Sequence, residues 1–200
     1  DLYKAGKNSP VTYPELYPFN APTGVLRNQL SPQLKMVARL LDGGCKTKVF
    51  LVRIGGFDTH ARQVESYDAT MGIHSALLYH LSAAVKAFQD DLRNLGLEDR
   101  VLTMTFSEFG RRAISNGSFG SDHGSSAPMF VFGKHVNSGI FGDNPDLSNL
   151  RNGNLNQQYD YRQLFTSALI DWLGASDSAI QATYFNDFVD NRVPLIGGRV

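Results

Sequence analysis

Lys48-Val49-Phe50-Leu51-Val52-Arg53-Ile54 runs directly into Gly55-Gly56-Phe57-Asp58-Thr59-His60. The first seven residues are nearly continuous in apolar character, the pattern of a strand buried on both faces. Arg53 is the exception, and a guanidinium buried there demands a carboxylate partner. Gly55-Gly56 breaks the run. Apolar residues at helical spacing then extend to about Leu95, carried by Leu77, Leu81, Ala84, Val85, Phe88 and Leu92, and Gly96 closes the pattern. Residues 100–106 form a second apolar run. Strand, helix and strand with short connections predict a βαβ unit, its two strands parallel and joined by a right-handed crossover.

Outward from this unit, residues 1–28 hold Pro10, Pro14, Pro18 and Pro22 among several Tyr and Asn. They read as an irregular arm packed on something else. Ser31-Pro32 marks a helix start, with Leu34, Val37, Ala38 and Leu41 on one face and Gly43-Gly44 as the stop. Residues 107–124 read as a polar, Gly-rich loop and 128–132 as a short third strand. That strand is expected to run antiparallel, a common feature of mixed sheets. Residues 137–157 read as a surface loop. A helix over 160–173 follows, with a weaker helical stretch near 179–185. The organisation is thus an arm, 1–28, and an α/β domain, 29–200, that reads as part of a larger domain.

At 200 residues the chain suits one domain. Its 42% hydrophobic and 19% charged residues are ordinary for a globular protein. Lys plus Arg equals Asp plus Glu, 19 against 19, and no basic run is present. Nothing electrostatic therefore points to nucleic acid or to an anionic membrane. No apolar stretch reaches the ~20 residues of a membrane span. Cys45 is the single cysteine, so no intrachain disulfide forms.

Three polar clusters carry candidate chemistry. Asp58 and His60 follow the first apolar run, and in an extended segment residues two apart face the same way. Ser107-Glu108-Phe109-Gly110-Arg111-Arg112 follows the second run, and Asp122-His123 precedes the third. In parallel sheets such groups collect beyond the carboxyl ends of the strands. Carboxylate with imidazole is an ordinary ligand set for zinc or another divalent ion. Simpler roles compete: Asp58 or Thr59 as helix cap, Glu108 as ion-pair partner of Arg111 or Arg112, Asp122 as turn residue. Asn116-Gly117-Ser118 fits the glycosylation pattern, a short and weak signal.

These motifs, taken in order with Asp160-Tyr161-Arg162-Gln163, resemble a large bacterial family of unknown function, domain family 1501, from about Leu30 to Gly174. That family is similar to the alkaline phosphatase and sulfatase superfamily. The resemblance implies a doubly wound α/β fold: a mixed, mostly parallel sheet with helices on both faces. It also implies an exported, periplasmic or extracellular protein about twice this length, often carrying a twin-arginine signal. In the superfamily the metal site draws on both halves of the chain, and the nucleophile lies in the first half. Asp58 and His60 look like the first metal-binding pair, and His123 looks like the superfamily's final histidine. Ser-Glu-Phe at 107–109 replaces an Asp-His pair, which argues against a second ion.

The leading expectation is therefore the C-terminal portion of a metal-dependent hydrolase of phosphate or sulfate esters. Asp58, His60, Asp122 and His123 would serve the metal, Glu108 would be a further ligand or general base, and Arg111 or Arg112 would grip the anionic group. The nucleophile is expected in a preceding half, so this segment alone is expected to be inactive. The other reading is a non-catalytic exported binding or assembly module on the same scaffold. Either way, an apolar surface is expected to require cover from that half, another copy or a partner chain.

Overall fold

The structure is a computed structural model, and it describes residues 6, 9–22 and 24–197. The remaining positions of the predicted arm, and the last three of the chain, lie outside the described residues. The elements in chain order are α1 (Ser31–Asp42), α2 (Ile73–Asn94), a 3-10 turn (Glu98–Arg100), β1 (Thr103–Met104), β2 (Gly110–Ser115), β3 (Ser121–Gly124), β4 (Val131–Phe132), α3 (Tyr161–Ser167), a π-helical turn (Ala168–Trp172), α4 (Asp177–Thr183) and a 3-10 turn (Asn186–Phe188). The strands make two separate two-stranded sheets, β1 with β4 and β2 with β3.

This overturns the expected doubly wound, mostly parallel sheet. Residues 48–54 belong to no strand, and β1 pairs antiparallel with β4, Thr103 opposite Phe132 and Met104 opposite Val131. The antiparallel sense expected for the third strand is the one observed. Around 48–54 burial does alternate: Phe50, Val52 and Ile54 are half-buried while Leu51 and Arg53 are exposed. The backbone hydrogen bonds of Arg53 go to a side chain instead of a neighbouring strand. Its N–H donates to Gln33 Oε1 (3.0 Å), and Gln33 Nε2 donates to its carbonyl (2.7 Å). An apolar run reports that a segment wants cover; it does not name the segment that would complete a ladder. Arg53, being exposed, needs no carboxylate.

The chain divides into two compact units. One comprises Asp1–Glu98 with Ile114–Asp122, the other Asp99–Ala113 with His123–Val200.

In the first unit α1 packs on α2. Of the residues the spacing predicts, Leu34, Val37 and Ala38 of α1 and Leu77, Ala84, Val85, Phe88 and Leu92 of α2 are buried, while Leu41 and Leu81 are half-buried. The helix starts differ from expectation. Asn28 Oδ1 accepts from the N–H groups of Leu30 (3.0 Å) and Ser31 (3.1 Å), taking the capping role expected of Ser31, whose hydroxyl turns to Pro14 O. α2 begins only at Ile73, after Gly72, so neither Asp58 nor Thr59 caps it. Gly72 sits at φ 136, and a Cβ there would lie 2.5 Å from Gln63 O. Residues 61–72 thus fold back on themselves, and Arg62 O and Gln63 O accept from Ile73 N and His74 N at the helix start.

The described part of the arm is seated on α2. Tyr13, Tyr17 and Val25 are buried. Asn28 Nδ2 donates to His80 O (2.9 Å), and His80 Nε2 donates to Val25 O (2.7 Å). Tyr13 Oη donates to buried Asp91 Oδ2 at 2.8 Å. Burial, then the bond to Asp91 and its negative charge, raise the Tyr13 hydroxyl far above its ordinary value of 10.0. The folded state therefore keeps a proton that the unfolded chain releases near pH 10. This contribution to stability is complete below about pH 10 and is lost as pH rises beyond it. Denaturant titrations from pH 8 to 11 should show a shallower decline in Tyr13→Phe than in the parent. Parallel curves would contradict the link.

In the second unit Ile180, Val193 and Leu195 are buried. Asp160 caps α3 through a capping box: its side chain accepts from Arg162 N (2.9 Å), and Gln163 Oε1 accepts from Asp160 N (2.8 Å). Arg162 also grips Asp160 with Nε and Nη2, at 2.8 and 2.7 Å, and this holds the carboxyl below its usual range. The Asp-Tyr-Arg-Gln motif is thus a helix-start device here.

Candidate metal centre

The site begins with a local rule and ends with a tertiary contact. Thr59 is buried, 3% exposed, between exposed Asp58 and His60. The flanking side chains share one side, as two-residue alternation predicts, and His60 Nε2 lies 3.1 Å from Asp58 Oδ1. The other ring nitrogen, Nδ1, lies 3.2 Å from Asp122 Oδ1. One imidazole is therefore bracketed by two carboxylates, one from its own loop and one from β3.

Residues 107–124 are not a featureless loop. They contain the β2–β3 hairpin, and its turn brings Asp122 to His60. A glycine in the turn permits this closeness. A Cβ on Gly120 would lie 2.3 Å from His60 O and 2.6 Å from Thr59 O. A Cβ on Gly110, at the other end of β2, would lie 2.1 Å from Ser126 O. Gln63 Oε1 accepts from both Thr59 Oγ1 (3.1 Å) and Ser121 Oγ (2.8 Å). Asn116 Nδ2 donates to His60 O at 2.7 Å. Its amide nitrogen is thus committed inside the fold, which argues against the glycosylation reading. Asn116, Gly120, Gln63 and Ser121 lie outside the residues that the sequence marks for the site. Asn116-Gly117 is, however, a hairpin-turn signal in its own right.

The ion pairs alone give little stability. The His60, Asp58 and Asp122 side chains are 49%, 62% and 51% exposed, and pairs so exposed contribute about 0–1 kcal/mol. What the arrangement offers is chemistry. Zinc–ligand bonds of about 2.0–2.1 Å at a tetrahedral angle put neighbouring ligand atoms roughly 3.3 Å apart. The Asp58–His60 spacing of 3.1 Å fits that geometry. An imidazole ligates an ion through one nitrogen only. Asp122, on the opposite nitrogen, then fits the outer carboxylate that fixes the tautomer of a metal-binding histidine.

The remaining predicted site residues are placed as follows. His123 succeeds Asp122 on β3, and its ring stacks on Phe109 at 4.0 Å and 9°. The Arg111 guanidinium lies 5.0 Å from the Phe109 ring centroid. Arg112 Nη2 donates to Asn152 O at 3.0 Å. Glu108 is exposed in the turn before β2, and among the described residues it forms no ion pair with either arginine. Among the described residues, no helix is long and apolar enough to cross a membrane.

No curated protein and no solved structure matches the chain. The family model described as "Protein of unknown function (DUF1501)" matches residues 30–172, a span that takes in the Asp58–His60 loop, the hairpin and the capped helix α3. By that match over most of its length, the chain belongs to the DUF1501 family.

Proposed function

We propose that this segment carries the metal-binding part of a hydrolase acting on phosphate or sulfate esters. The observation that carries the reading is His60, flanked by a carboxylate at each ring nitrogen at a solvent-exposed position. In this reading Asp58 and His60 are ligands of one divalent ion, with zinc the favoured metal, Asp122 orients His60, and the sequence offers His123 as a further ligand. Three protein ligands leave a position open for water or substrate, as catalytic zinc sites do. The metal supplies Lewis acidity and lowers the pKa of a bound nucleophile. Glu108, exposed and without an ion pair among the described residues, is available as general base, and Arg111 and Arg112 are the groups to bind the ester's oxyanion. The motif likeness to the alkaline phosphatase and sulfatase superfamily supplies the reaction class. The sheet that likeness implied is not the one observed, so the reading rests on the site.

A second reading, an exported metal-holding binding or assembly module, is favoured by the engagement of Arg111 with Phe109 and of Arg112 with Asn152 O. Val49 and Leu51, 71% and 78% exposed, suit cover by a partner segment or another copy. Turnover of aryl phosphate and aryl sulfate by the full-length protein, with zinc and after chelation, separates the two. Zinc-dependent release of the phenol supports the hydrolase. Zinc binding without turnover leaves the module.

A further inference from the structure

We infer that Asn116 is a positioning residue for His60, acting through the hairpin turn; the functional consequence rests on the metal-site reading above. One side-chain amide joins three parts of the first unit. Asn116 Oδ1 accepts from Ser118 N (2.9 Å) and Gly120 N (3.2 Å), which shapes the turn. Asn116 Nδ2 donates to His60 O (2.7 Å) and reaches Asp122 Oδ1 (3.5 Å). The orientation of the amide follows from its partners: a flipped group would set its oxygen against a carbonyl and its NH2 against two N–H donors.

The turn is also stitched to the loop that bears His60. Arg62 N donates to Ser118 O (3.0 Å) and Val64 N to Phe119 O (3.1 Å). Ser121 N reaches Thr59 O at 3.4 Å. Exposed pairs such as His60 with Asp58 and Asp122 do not by themselves hold a ring in place, because side-chain entropy and solvent compete. The half-buried Asn116 amide fixes the backbone from which the ring projects, and the same turn sets the start of β3 and hence Asp122. Supporting groups of this kind are worth about 10–100-fold in metal affinity.

Two variants separate positioning from mere turn formation. Asn116→Asp keeps the acceptor oxygen for Ser118 N and Gly120 N but loses the donor to His60 O; Asn116→Ala loses both. Zinc affinity is measured by calorimetry, melting temperature by circular dichroism, and the His60 ring resonances by NMR in the metal-free protein at one fixed pH. Both variants are expected to bind zinc about tenfold more weakly and to shift the His60 resonances toward those of an averaged, free ring. Asn116→Asp should also melt close to the parent. If Asn116→Asp retains parental zinc affinity and parental His60 resonances, Asn116 is a turn residue only and the inference fails. If the parent binds no zinc, the metal reading fails, and the metal-free resonances alone decide the positioning role.

Discussion

His60→Ala is expected to weaken zinc binding at least about a hundredfold while leaving the melting temperature within a few degrees of the parent. The reason is the central place of the ring. It is in contact with both carboxylates, at 3.1 Å to Asp58 and 3.2 Å to Asp122. Removing it would delete a proposed ligand and also disengage the carboxylate that would orient it. Asp122→Ala should cost less, about 10–100-fold, because an outer partner tunes a ligand without being one. His123→Ala, which removes a proposed ligand, should cost more than Asp122→Ala. Stability should barely register the His60 change, since exposed ion pairs contribute about 0–1 kcal/mol. Comparable zinc affinity in His60→Ala and the parent would remove His60 from any metal site.

Gly120→Ala should destabilise the protein by about 3 kcal/mol or more, at the upper end of overpacking effects. The added methyl meets backbone, 2.3 Å from His60 O and 2.4 Å from His60 C, and backbone cannot rotate aside as a flexible side chain does. Either the hairpin turn withdraws from the His60 loop or the loop deforms. Zinc affinity should therefore fall together with stability. Gly117→Ala, three positions earlier in the same turn, is the control. Nothing lies within 4 Å of a Cβ there and its φ is not positive, so a change within about 0.5 kcal/mol is expected. Chemical denaturation of the two variants side by side reads the contrast. Equal stabilities would mean the turn does not approach His60 as closely as described.

What could be read from the sequence divides along physical lines. Helical period and glycine stops are local, and they are legible; the N-terminal caps are not, since Asn28 takes the place expected of Ser31. The buried face of α2, the stop at Gly96 and the helix beginning after Asp160 follow from side-chain spacing and backbone freedom within a few residues. So does the shared side of Asp58 and His60. The start of α2 was not legible, because it depends on residues 61–72 folding back so that Gly72 passes close to Gln63. Residues 48–54 show why a sheet could not be inferred from apolar runs alone. Their composition marks a segment that wants cover, yet the backbone partner observed is the Gln33 side chain. The hairpin was hidden by composition: Ser, Asn and Gly from 115 to 121 look like loop. Asn116-Gly117 matches a modification signal, yet it marks a turn between two strands. With the hairpin unseen, the meeting of Asp122 with His60 is expected from strand ends at one edge of a sheet that the fold does not contain.

The central claim is that His60 and its neighbours hold a single divalent ion. Calorimetric titration of the metal-free protein with zinc, repeated at falling pH, tests it most directly. One ion per chain is expected, with affinity that weakens on acidification, because imidazole and carboxylate bind metal only when deprotonated and so exchange protons for it. Absence of binding, or binding that His60→Ala leaves unchanged, would contradict the claim.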